Sequence, residues 1–336
     1  MEKILLLAHT ESDGTLAKPA LEALAAAIGL GGELTVGLVG AEVAPAASQI
    51  ASCGAKRFLA VSGEAFAQPR YATDAAAAEA LSRASGATVI LAPSTSRWSR
   101  ALPGVAFRLG GRVDTHAASV TLSGGMLAVG RWFYRQRLEA LLTRNQRPWV
   151  ILLDAGCVPA WSGPSGTASV ESLAVEAPST RTTVMGIRAP KADEQTIRPD
   201  ARLLFVAGAG WTKKQADGAI HVDEAGALIL GFLRAAQASL GSSKSLVDLS
   251  GEGQAVLQFM THLNQVGQTG ATPRHPKGLS TCCHGEEPHV VGWRFINQRR
   301  AINLDPNCGW ARGKADVLYV ADAFEVMRQV NGLLGA

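Results

Sequence analysis

Two spacings of apolar residues alternate along the first 155 residues. The runs "ILLLA" (Ile4 to Ala8), "ELTVGLVG" (Glu33 to Gly40), "KRFLAV" (Lys56 to Val61) and "ATVILAPST" (Ala87 to Thr95) are short and almost continuously apolar. Strands buried on both faces of a parallel sheet read this way. Between them lie "LAKPALEALAAAIGL" (Leu16 to Leu30), "VAPAASQIASCG" (Val43 to Gly54) and "YATDAAAAEALSRASG" (Tyr71 to Gly86). These are alanine-rich, and two of them close on glycine, as helices do. "SRWSRALPGVAFRLG" (Ser96 to Gly110) follows the fourth strand. The β-α-β-α rhythm predicts a doubly wound parallel sheet with helices on both faces.

The rhythm changes from about Val113. The stretch from Ala117 to Gly156 reads as short strands joined by turns, in hairpin style. The tract from Pro159 to Asp200 is rich in Pro, Ser and Thr and contains "SGPSGTAS" and "RAPKADEQTIRPD"; it reads as a linker. At Arg202 a strand restarts with "RLLFVAGAG", and a second α/β unit closes with "ADVLYVAD" and "AFEVMRQVNGLL". Two domains are expected, over 1–195 and 196–336, with no tandem repeat.

Composition narrows the function classes. The chain is 47% hydrophobic and 18% charged, enough apolar material for substantial cores. Net charge is +4, from 32 basic and 28 acidic residues, and the basic residues are scattered. Nucleic acid is therefore not an expected partner. The five cysteines are odd in number and include no CxxC, so a reducing cytoplasm is the expected compartment. "MEKILLLAH" is too short for a signal peptide and reads as a first strand. No segment reaches about 18 apolar residues without a charge or glycine break, so no membrane span is expected.

Several short stretches can carry chemistry. "FVAGAGW" (Phe205 to Trp211) is a glycine-bearing turn after a strand, where backbone N–H groups can approach a phosphate. A plain strand-to-helix connection explains it as well. "LGSSKSLVD" places Ser242, Ser243 and Lys244 after a glycine, suited to an anion or to an exposed turn. "QVGQTG" (Gln265 to Gly270) packs two amides, a hydroxyl and two glycines into six residues, so a flat ligand can lie against its backbone. Cys282, Cys283, His284, His289 and Cys308 invite a metal reading. Four residues separate the two histidines, which suits half of a zinc site, but adjacent cysteines rarely chelate one ion. His284 beside Cys283 also permits a thiol–base reading. The bland alternative is a set of small, soft residues in a half-buried strand.

Taken in order, these pieces resemble the α subunit of electron transfer flavoproteins. The likeness runs through "ILLLAHTESDGTLAKPALEAL", "VILAPSTSRWSRALPGVAFRLG" and "GRWFYRQRLEALL". It is closer in the second half, where "QVGQTG" is identical to the family's flavin loop. "H-x-x-G" at His289 and Gly292, "AIN" at Ala301 to Asn303, "DP" at Asp305 and Pro306, and "VADAFEV" at Val320 to Val326 keep the family's order.

The resemblance implies an N-terminal domain that pairs with a β subunit, and a C-terminal flavodoxin-like or Rossmann-like FAD domain. It implies an electron carrier rather than a catalyst with its own substrate. Electrons would come from a flavin-dependent dehydrogenase and pass to a downstream acceptor, with AMP or a second flavin as the β subunit's nucleotide. Gln265, Val266, Gly267, Gln268, Thr269 and Gly270 would wrap the ring and ribityl chain, Thr269 near flavin N5. His289 would face the N1 edge, where negative charge collects on reduction. Ser242, Ser243, Lys244, Asn303 and Asp322 would hold the adenosine and phosphate portions or the flavin rim. Gly208, Gly210, His284, Asp305 and Ala323 complete the implied cofactor contacts.

Departures from the family are specific. Its Gly-Gly-Arg-Gly becomes Gly208-Ala209-Gly210-Trp211, its Ser-Arg becomes Ser243-Lys244, and its "GISGAIQH" becomes "CCHGEEPH". They keep two other readings in play: a docking subunit that holds no FAD, and a metal or iron–sulfur protein built on the cysteine cluster. The family's flavin domain also swivels, and the Pro159 to Asp200 tract suits a hinge.

Overall fold

A computed structural model describes residues 2–134, 138–186, 197–198, 200–248, 255–267, 271, 273–281, 295–307 and 315–336. The chain divides into two compact units, Met1–Gly186 and Ile187–Ala336.

In the first unit the elements run β1 (Lys3–His9), α1 (Lys18–Gly29), β2 (Glu33–Gly40), α2 (Ala44–Gln49), β3 (Arg57–Ser62), α3 (Glu64–Ala67), α4 (Tyr71–Ser85), β4 (Val89–Pro93) and α5 (Ser96–Arg108). Then follow β5 (Arg112–Ser123), β6 (Met126–Phe133), β7 (Leu138–Leu142), β8 (Trp149–Leu153) and β9 (Val170–Ser172). They form one sheet in the order β7-β6-β5-β8-β4-β1-β2-β3-β9, parallel from β5 through β9 and antiparallel at β5-β6-β7. The period of two along β1 divides its apolar run between two cores. Ile4, Leu6 and Ala8 join the cluster that holds Ala20, Ala23 and Leu24 of α1. Leu5 and Leu7 join the cluster that holds Leu81 of α4 and Trp98 and Leu102 of α5. A strand buried on both faces has no polar side to show, which is why its sequence does not alternate.

The hairpin-like stretch is β5, β6 and β7, added at one edge of the parallel sheet. Asp114 of β5 is 1% exposed and anchors this edge. Arg144 holds it with two hydrogen bonds, Nη2 to Oδ1 at 2.9 Å and Nε to Oδ2 at 2.5 Å. The Trp149 indole donates to Oδ2 at 2.9 Å. Burial alone would raise this carboxyl, but these donors outweigh it and hold Asp114 below the ordinary range. Just beyond, β5 bulges: its register against β8 shifts between Asp114 and Ala117, and His116 takes φ 56°. The bulge turns His116 outward to Asp154, Nδ1 to Oδ1 at 3.1 Å.

The linker expectation over Pro159 to Asp200 holds only in part. Within that tract β9 pairs in parallel with β3, Phe58 opposite Val170, and Trp161 N–H donates to Leu21 O at 3.1 Å. Backbone pairing at a sheet edge needs no apolar pattern, and three residues are too few to show one. The helix predicted over Val43 to Gly54 is likewise shorter, ending at Gln49.

The second unit runs β10 (Leu203–Ala207), α6 (Val222–Ala236), β11 (Ser239–Ser242), α7 (Lys244–Asp248), β12 (Lys277–Thr281), β13 (Gln298–Asn303), β14 (Val317–Val320) and α8 (Ala323–Leu334). Its sheet is parallel throughout the described strands, in the order β11-β10-β12-β13-β14. That is the flavodoxin-like order 2-1-3-4-5, with its reversal between β10 and β12. Phe205, Trp211, Ile229, Phe232, Phe324 and Met327 build the core on the face covered by α6 and α8. Among the described residues no helix is long and apolar enough to cross a membrane.

His9 closes β1 with its side chain 17% exposed, near Thr95 Oγ1 at 3.5 Å and the Trp98 ring at 6.0 Å. Burial, aided by the nearby Arg97 charge, lowers its pKa to about 4. A histidine depressed in the folded state stays neutral there while the unfolded chain binds the proton. Its stabilising share is complete above the unfolded value of about 6.5 and is lost as pH falls towards 4. The stability difference between wild type and His9→Gln should therefore shrink by roughly 3 kcal/mol between pH 7 and pH 4. Urea unfolding across that range checks it; a constant difference contradicts it.

Candidate functional site

In a parallel sheet all carboxyl ends lie on one edge, and ligands of doubly wound folds sit outside that edge at the strand-order reversal. The described candidates of the second unit gather there. Gly208 and Gly210 follow β10, Ser242 ends β11 with Ser243 and Lys244 after it, Asn303 ends β13 and Asp305 lies two residues on, and Asp322 and Ala323 follow β14. The segment Gln265–Gly267 joins them by backbone pairing: Val266 N–H donates to Ser242 O at 3.0 Å, and Gln265 bridges to Ser242. Gly241 permits this approach, since a Cβ there would meet Val266 Cγ2 at 2.7 Å. Gly267 has φ 128° and donates to Ala271 O at 3.0 Å, so a glycine is needed at that corner. Gln268, Thr269, Gly270, Cys282, Cys283, His284, His289 and Cys308 lie outside the described residues.

The polar groups at this edge divide by what they already hold. Ser243 Oγ accepts the Leu246 N–H at 3.2 Å and caps α7. Asp322 caps α8, accepting from Phe324 N–H at 2.7 Å and Glu325 N–H at 3.3 Å. Asp305 accepts from Asn307 N–H at 2.8 Å. Lys244 pairs with Asp248. Gln265 and Asn303 are buried at 3% and 7% exposure. Ser242 differs: its side chain is 0% exposed and its hydroxyl has no partner among the described residues. A buried hydroxyl without a partner is costly, which sets Ser242 apart from the other polar groups described at this edge.

Three residues that sequence reasoning passed over organise the edge. Trp211 is fully buried, lies against Phe324 with ring centroids 4.5 Å apart, and donates its indole N–H to Thr281 Oγ1 at 2.8 Å. Thr281 Oγ1 donates to Val206 O at 3.3 Å, and Thr281 O accepts from Gly208 N–H at 2.8 Å. These bonds tie the ends of β10 and β12 together across the reversal. Asn264 is the third, 2% exposed, forming a capping box with Thr261 just before Gln265. A tryptophan one residue after a glycine turn signals this tie only weakly, because its partner is 70 residues away. Gly210, at the position of the family's arginine, brings no charge. Among the described residues no group of His, Cys, Asp and Glu is arranged to hold a metal ion.

One α/β unit with a mixed, mainly parallel sheet and a second with a parallel, flavodoxin-ordered sheet and a polar carboxyl edge place the chain among doubly wound α/β proteins, an architecture that often takes nucleotide-like ligands. Residues 4–178, more than half of the chain, match the family model "Electron transfer flavoprotein domain". The chain belongs to the electron transfer flavoprotein family, whose members generally bind flavin, pair as heterodimers and work with dehydrogenases. A comparison with curated proteins finds no matching relative.

The tie between Trp211 and Thr281 is measurable. Trp211→Phe keeps most of the apolar contact and removes the donor, with an expected cost of about 1–2 kcal/mol. Trp211→Ala adds a cavity, for about 3–5 kcal/mol. Urea unfolding gives both values; a Trp211→Phe variant as stable as wild type contradicts the tie.

Proposed function

We propose that this chain is an electron transfer flavoprotein α subunit whose second domain, over 196–336, holds one FAD and whose first domain, over 1–195, pairs with a β subunit. The observation that carries the reading is the Ser242 hydroxyl, buried without a described partner at the carboxyl edge of a flavodoxin-ordered sheet. The residues present fit a flavin. The Gly241–Val266 contact brings the backbone of the "QVG" segment against β11, a surface suited to a flat ring. Leu263, Leu304 and Val320, 74%, 63% and 58% exposed, leave apolar surface near the same edge.

FAD supplies one- and two-electron transfer when bound. The chain's own groups orient and stabilise it. In this reading the Ser242 hydroxyl donates to a cofactor oxygen, and Lys244 supplies positive charge where reduction places negative charge. The Gln265 and Asn303 amides hold the ring or the adenosine portion. Thr269 and His289 take the roles the resemblance gives them, beside N5 and at the N1 edge. Ser243 and Asp322 act indirectly, by fixing α7 and α8. Electrons arrive from a flavin-dependent dehydrogenase in the cytoplasm.

Pairing with a β subunit is supported by the added strands of the first unit. Leu122, Met126, Leu138 and Leu141 on β5, β6 and β7, with Tyr134 just after β6, are 49–79% exposed. Leu141→Asp should weaken the heterodimer by about tenfold or more, for the loss of one apolar anchor plus a charge to desolvate. Sedimentation or titration calorimetry with the β subunit measures it; unchanged affinity rejects this face.

Purified with its β subunit, the protein should be yellow, with about one FAD per α chain by absorbance and mass spectrometry. Ser242→Val should lower FAD affinity by about tenfold. A colourless, folded heterodimer overturns the FAD reading and favours a docking subunit, consistent with the uncharged Gly210. Bound zinc or iron at one ion per chain favours the cysteine-cluster reading instead.

A further inference from the structure

Lys244, just after β11 at the carboxyl edge, is not alone there. Its ammonium pairs with Asp248 Oδ2, one turn further along α7. The other oxygen of that carboxylate, Oδ1, is held by His262 Nε2 at 3.0 Å. His262 belongs to the 3-10 turn His262–Asn264 that leads directly into Gln265. One carboxylate therefore bridges two segments at the carboxyl edge, the helix after β11 and the segment paired with Ser242. The side chains of Lys244, Asp248 and His262 are 46%, 32% and 64% exposed, so no core packing fixes them.

A lysine has a particular need for such a partner. Arginine orients itself through a planar fork of donors, whereas lysine is a point charge on a flexible four-carbon stem. Without a fixed acceptor the ammonium samples several rotamers, and its effect on a neighbouring charge averages over them. The Lys244 hydrogen bond, ahead of other contributions, holds the Asp248 carboxyl below the ordinary range. The acceptor is thus an anion at neutral pH, at the cost of half-cancelling the charge it positions.

Resting on the FAD reading above, we infer that Asp248 is a positioning residue: its carboxylate, shared between Lys244 and His262, fixes where the Lys244 ammonium stands and so sets the reduction potential of the bound flavin. Asp248→Asn removes the anion that holds the Lys244 ammonium in place, so its charge averages over several rotamers. Reduction adds negative charge to a flavin, so losing the fixed cation favours the oxidised form. The ratio of affinities for reduced and oxidised flavin should fall about tenfold, which for a two-electron couple is a midpoint shift of about −30 mV.

The test is redox titration of the flavin-loaded heterodimer as wild type, Asp248→Asn, Lys244→Met and the double variant. Asp248→Ser repeats the measurement with a different neutral side chain. A positioning role requires the Asp248→Asn shift to be at least about threefold larger with Lys244 present than in the Lys244→Met background. An equal shift in both backgrounds overturns the inference, because Asp248 then acts through space by itself. No shift from either neutral variant in a flavin-loaded protein overturns it too, and leaves the FAD reading standing. A wild-type heterodimer without flavin overturns both.

Discussion

The second unit depends on the tie across the reversal in its sheet. At the reversal the ladder pairs β10 with β12 as far as Ala207 opposite Thr281, and bonds outside the ladder carry the join to the turn beyond that last pair. Thr281 supplies them. Its hydroxyl accepts from the Trp211 indole and donates to the Val206 carbonyl, and its carbonyl takes the Gly208 N–H. With Trp211 packed on Phe324 at the start of α8, one buried aromatic connects the turn after β10 to the end of β12 and the helix after β14. The carboxyl edge is rigid at its floor for this reason, and the groups standing on it inherit fixed positions.

A rigid floor lets the polar groups above it divide their work. Ser243 and Asp322 are consumed as helix caps, which keeps α7 and α8 in place. Asp248 is consumed between Lys244 and His262. Ser242 remains, desolvated and without a partner among the described residues.

The first unit solves a different problem. Its parallel strands are covered on both faces by apolar clusters, and its added antiparallel strands hang on the buried Asp114 carboxylate with its Arg144 and Trp149 donors. Removing one partner from such a group is costly, because the remaining charge stays buried. The added strands are therefore held firmly while exposing apolar side chains such as Leu138 and Leu141. Firm anchoring with an apolar outer surface suits an element that meets another chain.

Much of this was legible in the sequence because it is local. Apolar runs of strand length, alanine-rich helices and glycine closures predict the α/β class, and "ILLLA" already implies burial on both faces. The order of short motifs, "QVGQTG" among them, pointed to the family. What could not be read depends on contacts between distant residues. Val170 joins the sheet only because β3 offers an open edge. Trp211 meets a threonine from another strand, and Gly241 matters only because Val266 comes to rest on it. Whether a serine caps a helix, as Ser243 does, or is buried without a described partner, as Ser242 is, turns on one residue of register. Residue type and spacing by themselves determine the elements and the motifs. Tertiary structure alone decides which polar groups are spent on the fold and which remain for a ligand, because hydrogen-bond satisfaction is a property of packed neighbours and not of neighbours in sequence.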